Sequence, residues 1–322
     1  MALAAGCSVL HPESAASPSA SPTPTASTPT PTPRPPVPMD GGTINLTMRP
    51  AVTLNPLMNE DESVDAALKL IFEPLMKIDG NFKPQPNIAD IEMRADGMSD
   101  VITLADGVVW SDGTPVTTAD IDYSLTVLRD DAPDNAIYKQ DMKNIASWAI
   151  IDDKSIIVNF LETFGGQEYM FNFPVIPAYY YENNPDADMN PMGDGVYKFE
   201  SYTVQKEMIL VKNDAYWGQK PYLATLHFIL TPDKDTALNS FEQGLVDALP
   251  ADISDWGRFL GRFQGGNANV DEYDTLYFDF IGFNFNNPYL KNKNVRQAVC
   301  QAIDADALVS GSYLNHALRA YA

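Results

Sequence analysis

Between Ser8 and Pro38 the chain carries ten prolines and eleven serines or threonines, and its only formal charges are Glu13 and Arg34. Such a stretch has too few apolar side chains to offset the entropy of ordering. It predicts an extended, disordered tether. Any core must therefore come from residue 40 onward. That remainder is long enough: the chain has 322 residues, 45% of them hydrophobic, so two or more packed units are within reach.

The charge balance narrows the partners. Asp and Glu number 43 against 21 Lys and Arg, a formal net charge of -22. Nucleic acid is excluded as a partner, because phosphate binding needs clustered cations. A soluble, self-repelling surface outside or at the edge of a cell fits better. The two cysteines, Cys7 and Cys300, make neither a disulfide framework nor a Cys-rich zinc site. His11, His227 and His316 are too scattered for a metal cluster, and no metal or other cofactor is expected. No apolar run approaches the ~20 residues of a membrane-spanning helix.

Upstream of the tether, Leu3-Ala4-Ala5-Gly6-Cys7 resembles the lipobox of a bacterial lipoprotein, in which Cys7 would carry the lipid. Small residues suit a signal peptidase pocket, and the thiol is the nucleophile that takes the lipid. The basic and apolar stretches of a signal peptide do not precede it, so residues 1–7 read as a clipped signal sequence or as the result of a late start codon. The alternative is an ordinary N-terminus with a chance match. An anchor followed by the tether of residues 8–39 would hold a globular body clear of a membrane.

From residue 40 the pattern is that of a mixed α/β protein. Strands are expected at 43–48, 75–78, 101–104, 156–160, 196–199, 208–212, 226–230 and 275–285. Helices are expected at 63–72, at 118–128 behind a Thr117-to-Asp120 capping box, at 234–245 and at 295–303. The third should turn Leu238, Phe241 and Leu245 inward, and the fourth should pack Cys300 as a small apolar residue.

Several stretches together carry a resemblance. They are Leu54-Asn55-Pro56; Ile71-Phe72-Glu73-Pro74-Leu75; Pro86-Asn87-Ile88-Ala89; Leu104 to Ile121 with Trp110-Ser111-Asp112-Gly113; Asn190 to Phe199; Asn213-Asp214-Ala215-Tyr216-Trp217-Gly218; Gly244 to Ala248; and Val295-Arg296-Gln297-Ala298-Val299 with Ala302-Ile303-Asp304. In this order they resemble the solute-binding proteins of peptide and nickel ABC importers, the extracytoplasmic oligopeptide- and dipeptide-binding family. One departure stands out. Where that family usually shows Gly-Thr-Gly-Pro-Tyr, this chain has Gly193-Asp194-Gly195-Val196-Tyr197, without the proline that would fix φ.

The resemblance implies a two-lobed periplasmic-binding-protein clamp with an accessory domain. Residues 40–82 and 191–273 would form the first lobe, 83–190 the accessory domain, and 274–322 the start of a second lobe. Because the chain ends far short of the family's usual extent, a C-terminally truncated form with most of that lobe missing is expected. The function implied is capture of an oligopeptide-like solute between two lobes and its delivery to an ABC permease, without catalysis, at the bacterial cell surface or in the periplasm.

Candidate ligand-binding residues follow from the same comparison. Asn59, Glu60, Asp61 and Glu62 lie between Pro56 and the expected helix, where the family's first lobe faces its ligand. As acceptors they suit a cationic end such as a peptide ammonium; the alternative is a set of solvated charges at a helix N-terminus. Tyr277, Asp279 and Phe280 lie on the segment that crosses between lobes, as core or as cleft wall. Trp110, Asp112 and Gly113 read as scaffold. Asp186, Asp188 and Asn190 have calcium-loop spacing, but Pro191 stands where glycine is needed. Two rival functions remain: a surface hydrolase using carboxylates such as Glu60 and Glu62, and a ligand-sensing receptor without transport.

Overall fold

The computed structural model describes residues 38–255, 258, 268–273, 275 and 279–318. The chain divides into residues 1–38 and 39–322. Cys7 and the tether up to residue 37 lie outside the described residues, as does Tyr277.

In chain order the elements begin with β1 (Thr43–Met48), α1 (Glu62–Leu68), β2 (Met76–Ile78), β3 (Pro84–Pro86), β4 (Ala89–Met93) and β5 (Ser99–Leu104). Next come α2 (Thr118–Thr126), β6 (Ile145–Ile150), β7 (Ser155–Phe160) and α3 (Ala178–Asn183). The last are β8 (Tyr197–Thr203), β9 (Glu207–Lys212), β10 (Thr225–Leu230), α4 (Lys234–Glu242), α5 (Lys293–Ala302) and α6 (Ala305–Gly311).

Two four-stranded sheets carry the fold. The first has the order β1-β10-β9-β8 and the second β4-β5-β7-β6. β1 runs parallel to β10, from Thr43 opposite Thr225 to Met48 opposite Leu230. That pairing joins the start of the folded chain to a strand about 180 residues later. A parallel neighbour requires a long crossover, and here the crossover contains the entire second sheet. Period-two alternation explains the inner faces: Met208 and Leu210 on β9, and Leu226, Phe228 and Leu230 on β10, are buried.

In the second sheet Ile102, Ile156 and Val158 are fully buried. Ile121 and Leu125 on α2, and Leu128 in the turn after it, are buried in the same core and spaced for one helical face. The expected cap is present. Asp120 Oδ2 accepts from the Thr117 N–H at 2.8 Å, and its other oxygen accepts from the Ala178 N–H at 2.9 Å, so one carboxylate starts both α2 and α3. A single π turn, Val127–Asp131, follows α2.

Three expectations are corrected. α1 ends at Leu68 rather than at residue 72, because the Leu70 and Ile71 carbonyls accept from the Tyr197 and Gly195 N–H groups at 2.9 and 2.7 Å. α4 ends at Glu242, and Leu245 is exposed. Gly244, at φ 73°, turns the chain so that Val246 is buried in its place. Finally, Cys300 is exposed: α5 forms where expected, but none of its residues is buried. The strand expected at 275–285 falls partly outside the described residues, and the described ones there are irregular.

Candidate functional site

The acidic run before α1 is built from short-range hydrogen bonds. Asn59 closes on Asp61 twice: its Nδ2 donates to the Asp61 carbonyl at 2.8 Å, and its Oδ1 accepts from the Asp61 N–H at 3.2 Å. Asp61 caps α1, with Oδ1 accepting from Ser63 N–H at 2.9 Å and Val64 N–H at 3.2 Å. Its Oδ2 pairs with Arg49 at 3.3 Å. Ser, Thr, Asp and Asn favour this position because a short side chain reaches the unpaired N–H groups of the first turn.

The same run meets the segment after α2. The Ile137 N–H donates to the Asn59 carbonyl at 3.1 Å, Asn135 Nδ2 donates to Glu60 Oε2, and the Tyr138 hydroxyl donates to Asp65 Oδ1 at 2.9 Å. Burial first, then the Asp65 carboxylate, pushes the Tyr138 hydroxyl up, so it stays a donor. Asp65 also pairs with Lys69 at 2.7 Å. Asn59, Glu60 and Asp61 are therefore engaged at a junction between segments, whereas Glu62 is exposed in the first helical turn. Arg49, Asp65, Asn135 and Tyr138 complete this cluster. No spacing in the sequence links residues this far apart.

Replacing the cap tests its role. Asp61→Ala should lower stability by about 1 kcal/mol, read as a shift in the urea midpoint with an unchanged slope. A neutral result would deny Asp61 a capping role.

Asp279 and Phe280 belong to a different cluster. Asp279 Oδ2 accepts from the Tyr313 hydroxyl, and Phe280 is 77% exposed. A groove of about 440 Å³ runs along α5 between Phe283, Lys293, Arg296 and Cys300, and Arg296 lies over the Phe285 ring at 4.7 Å. The Asp186–Asn190 loop has a structural role: the Asp188 carboxylate accepts from Asn55 Nδ2 at 2.9 Å and its carbonyl from Leu54 N–H at 2.6 Å.

Five of the stretches that carried the resemblance converge on one buried joint. The Ser111 N–H donates to the Gly193 carbonyl at 2.9 Å and the Gly195 N–H to the Ile71 carbonyl at 2.7 Å. The Glu73 N–H donates to Asp194 Oδ1 at 2.9 Å, and Asn213 Nδ2 donates to the Gly195 carbonyl at 2.8 Å. Glu73, only 3% exposed, accepts from Tyr216 and Asn87 at 2.8 Å each and pairs with Lys77 at 2.6 Å. Trp110 is fully buried beside its turn. There the Tyr179 hydroxyl donates to Asp112 Oδ2 at 2.6 Å; burial and that bond push Tyr179 up to about 12.

Comparison with known proteins identifies this frame. The model of the bacterial extracellular solute-binding proteins, family 5 Middle, matches residues 83–322. The oligopeptide-binding protein AppA of Bacillus subtilis is 24% identical over 288 residues, which are 85% of this chain and 52% of that protein. The crystal structure of NikZ from Campylobacter jejuni in complex with Ni(L-His) aligns with a TM-score of 0.70 at 22% identity, over 87% of this chain and 57% of that one. AppA in complex with a nonapeptide aligns with a TM-score of 0.66 at 21% identity, over 85% of this chain and 56% of that one. The fold is thus the α/β periplasmic-binding-protein fold, and the chain spans about half the length of the curated relatives it matches.

Proposed function

The chain belongs to the bacterial extracellular solute-binding proteins, family 5, and we propose that it captures oligopeptide-like solutes outside the cytoplasm and delivers them to an ABC permease. The observation that carries this reading is the family match over residues 83–322. The peptide-binding relatives support it. A peptide of no fixed sequence is held through its backbone and charged ends, and closure is favoured because only the closed form contacts it from both sides. Mass spectrometry of small molecules released from the native gene product tests this. Oligopeptides are the expected result; their absence, or release of progressively shorter fragments, would overturn it, the latter in favour of a hydrolase.

The same reading divides the chain into a first lobe (40–82 with 191–273), an accessory domain (83–190) and the start of a second lobe (274–322). Its support is that β1 and β8–β10 share one sheet while β4–β7 form another. In this arrangement Glu62, with Glu60, Asp279 and Phe280, is offered to the ligand, and Asn59 and Asp61 hold the segment that presents Glu60 and Glu62.

Glu62 is the member whose role in binding is most directly testable. If it meets a peptide ammonium, Glu62→Gln should weaken a free peptide about tenfold or more, since bonds to charged partners contribute about 1.5–3 kcal/mol. It should leave the N-acetylated peptide unaffected. Equal losses for both peptides by calorimetry would assign Glu62 to the solvated helix start.

Lipid anchoring at Cys7 belongs to the same proposal. Expressed behind a complete signal sequence, the protein should fractionate with membranes, and Cys7→Ala should release it. Unchanged membrane association of that variant would sink the anchor.

A further inference from the structure

Asp194 is fully buried. It lies between two glycines that press against the Ile71 carbonyl, so no water reaches it from that side. One oxygen, Oδ1, accepts from the Glu73 N–H at 2.9 Å. The other, Oδ2, has no hydrogen-bond partner. Three titratable groups act on it: the Glu73 carboxylate, the Lys77 ammonium and the Tyr216 hydroxyl. The single cation among them is already taken, because Lys77 Nζ sits 2.6 Å from Glu73 Oε2.

Two carboxyl groups thus share one buried joint, and they differ in what surrounds them. Glu73 accepts from Tyr216, Asn87 and Lys77, the pattern of an ionised carboxylate satisfied on both oxygens. Beyond its own backbone N–H, Asp194 accepts from Glu73 alone and has no cation of its own. A buried charge without partners is far more costly than a buried hydroxyl without one. We infer that Asp194 is the proton-carrying member of this pair, with the proton on Oδ2, and that it fastens the 193–197 turn to the 71–75 segment as a neutral acid. Ionising it would place a second negative charge beside Glu73 and loosen the joint where the stretches at 71–75, 110–113, 193–197 and 213–217 meet.

Burial and, against the backbone hydrogen bond, the neighbouring Glu73 charge hold the Asp194 carboxyl well above its ordinary value of 3.8. The sign follows. Asp194 takes up a proton on folding at every pH between its ordinary and its folded value, so this contribution is greatest in acid and is lost as pH rises. A family that works outside the cytoplasm meets the pH of the medium directly, and this joint is firmer in acid than in alkali.

The experiment is urea unfolding of the 322-residue chain, of Asp194→Asn and of Asp194→Thr, between about pH 5 and about pH 9. Both variants are neutral at every pH. Each should fold, and the ratio of the wild-type folding constant to the Asp194→Asn constant should fall as pH rises, by up to about tenfold per pH unit, because one proton is taken up. A ratio that stays flat would mean that Asp194 binds no extra proton in the fold. Failure of both neutral variants to fold would mean that a charge is required there. Either result overturns the inference.

Discussion

Gly193→Ala is expected to cost about 3 kcal/mol or more of stability, the upper range for forcing an atom into a packed site. A Cβ on Gly193 would lie 2.0 Å from the Ile71 carbonyl oxygen and 2.9 Å from the Phe72 ring. Neither can yield cheaply. The Ile71 carbonyl accepts the Gly195 N–H, and Phe72 is fully buried. Moving them would also pull the Glu73 N–H from Asp194. Gly80→Ala is the control, because nothing lies within 4 Å of its would-be Cβ, and it should stay within about 0.5 kcal/mol of wild type. Thermal and urea unfolding check the pair. If the two variants behaved alike, the close approach of the turn to Ile71 and Phe72 would have no energetic weight.

Trp110→Ala should cost about 3–5 kcal/mol, the range for emptying a large buried aromatic site. Trp110 is fully buried in the core that also holds Phe72, Phe171 and Phe173. Its turn is held from outside by Tyr179 on Asp112 and by Ser111 on Gly193. The variant should lose stability while any ligand affinity per folded molecule stays the same. A variant of wild-type stability with lost binding would move Trp110 from scaffold to site.

How much was legible beforehand depended on range. β1 at Thr43–Met48 and the alternation of Ile156, Val158 and Phe160 followed from local periodicity, and the Thr117–Asp120 cap from local chemistry. The end of α1 did not, because partners distant in sequence decided it, and α4 stopped at a turn that its apolar spacing ran through. Leu70 and Ile71 surrendered their carbonyls to Tyr197 and Gly195, respectively, and Gly244 turned the chain after α4. Cys300 was misjudged for a related reason: an apolar helix face predicts burial only if something covers it, and periodicity cannot say what does. In the acidic run Asn59, Glu60 and Asp61 accept from protein donors, and nothing at 59–62 indicated that Asn135 and Ile137 would be among them.

By itself, the sequence determined that the chain from residue 40 onward is α/β, and that its ordered motifs resemble the peptide- and nickel-importer binding proteins. Each of these rests on composition or short-range order, where a residue's neighbours are its sequence neighbours. Only the tertiary structure decided that Ile71, Trp110, Asp194, Asn213 and Tyr216 meet in one buried joint, and that Asp194 arrives there without a cation to itself. Chain connectivity does not encode such meetings directly. They arise when segments distant in sequence pack against one another, and that packing sets which polar groups are cut off from water and so must find a partner or keep a proton.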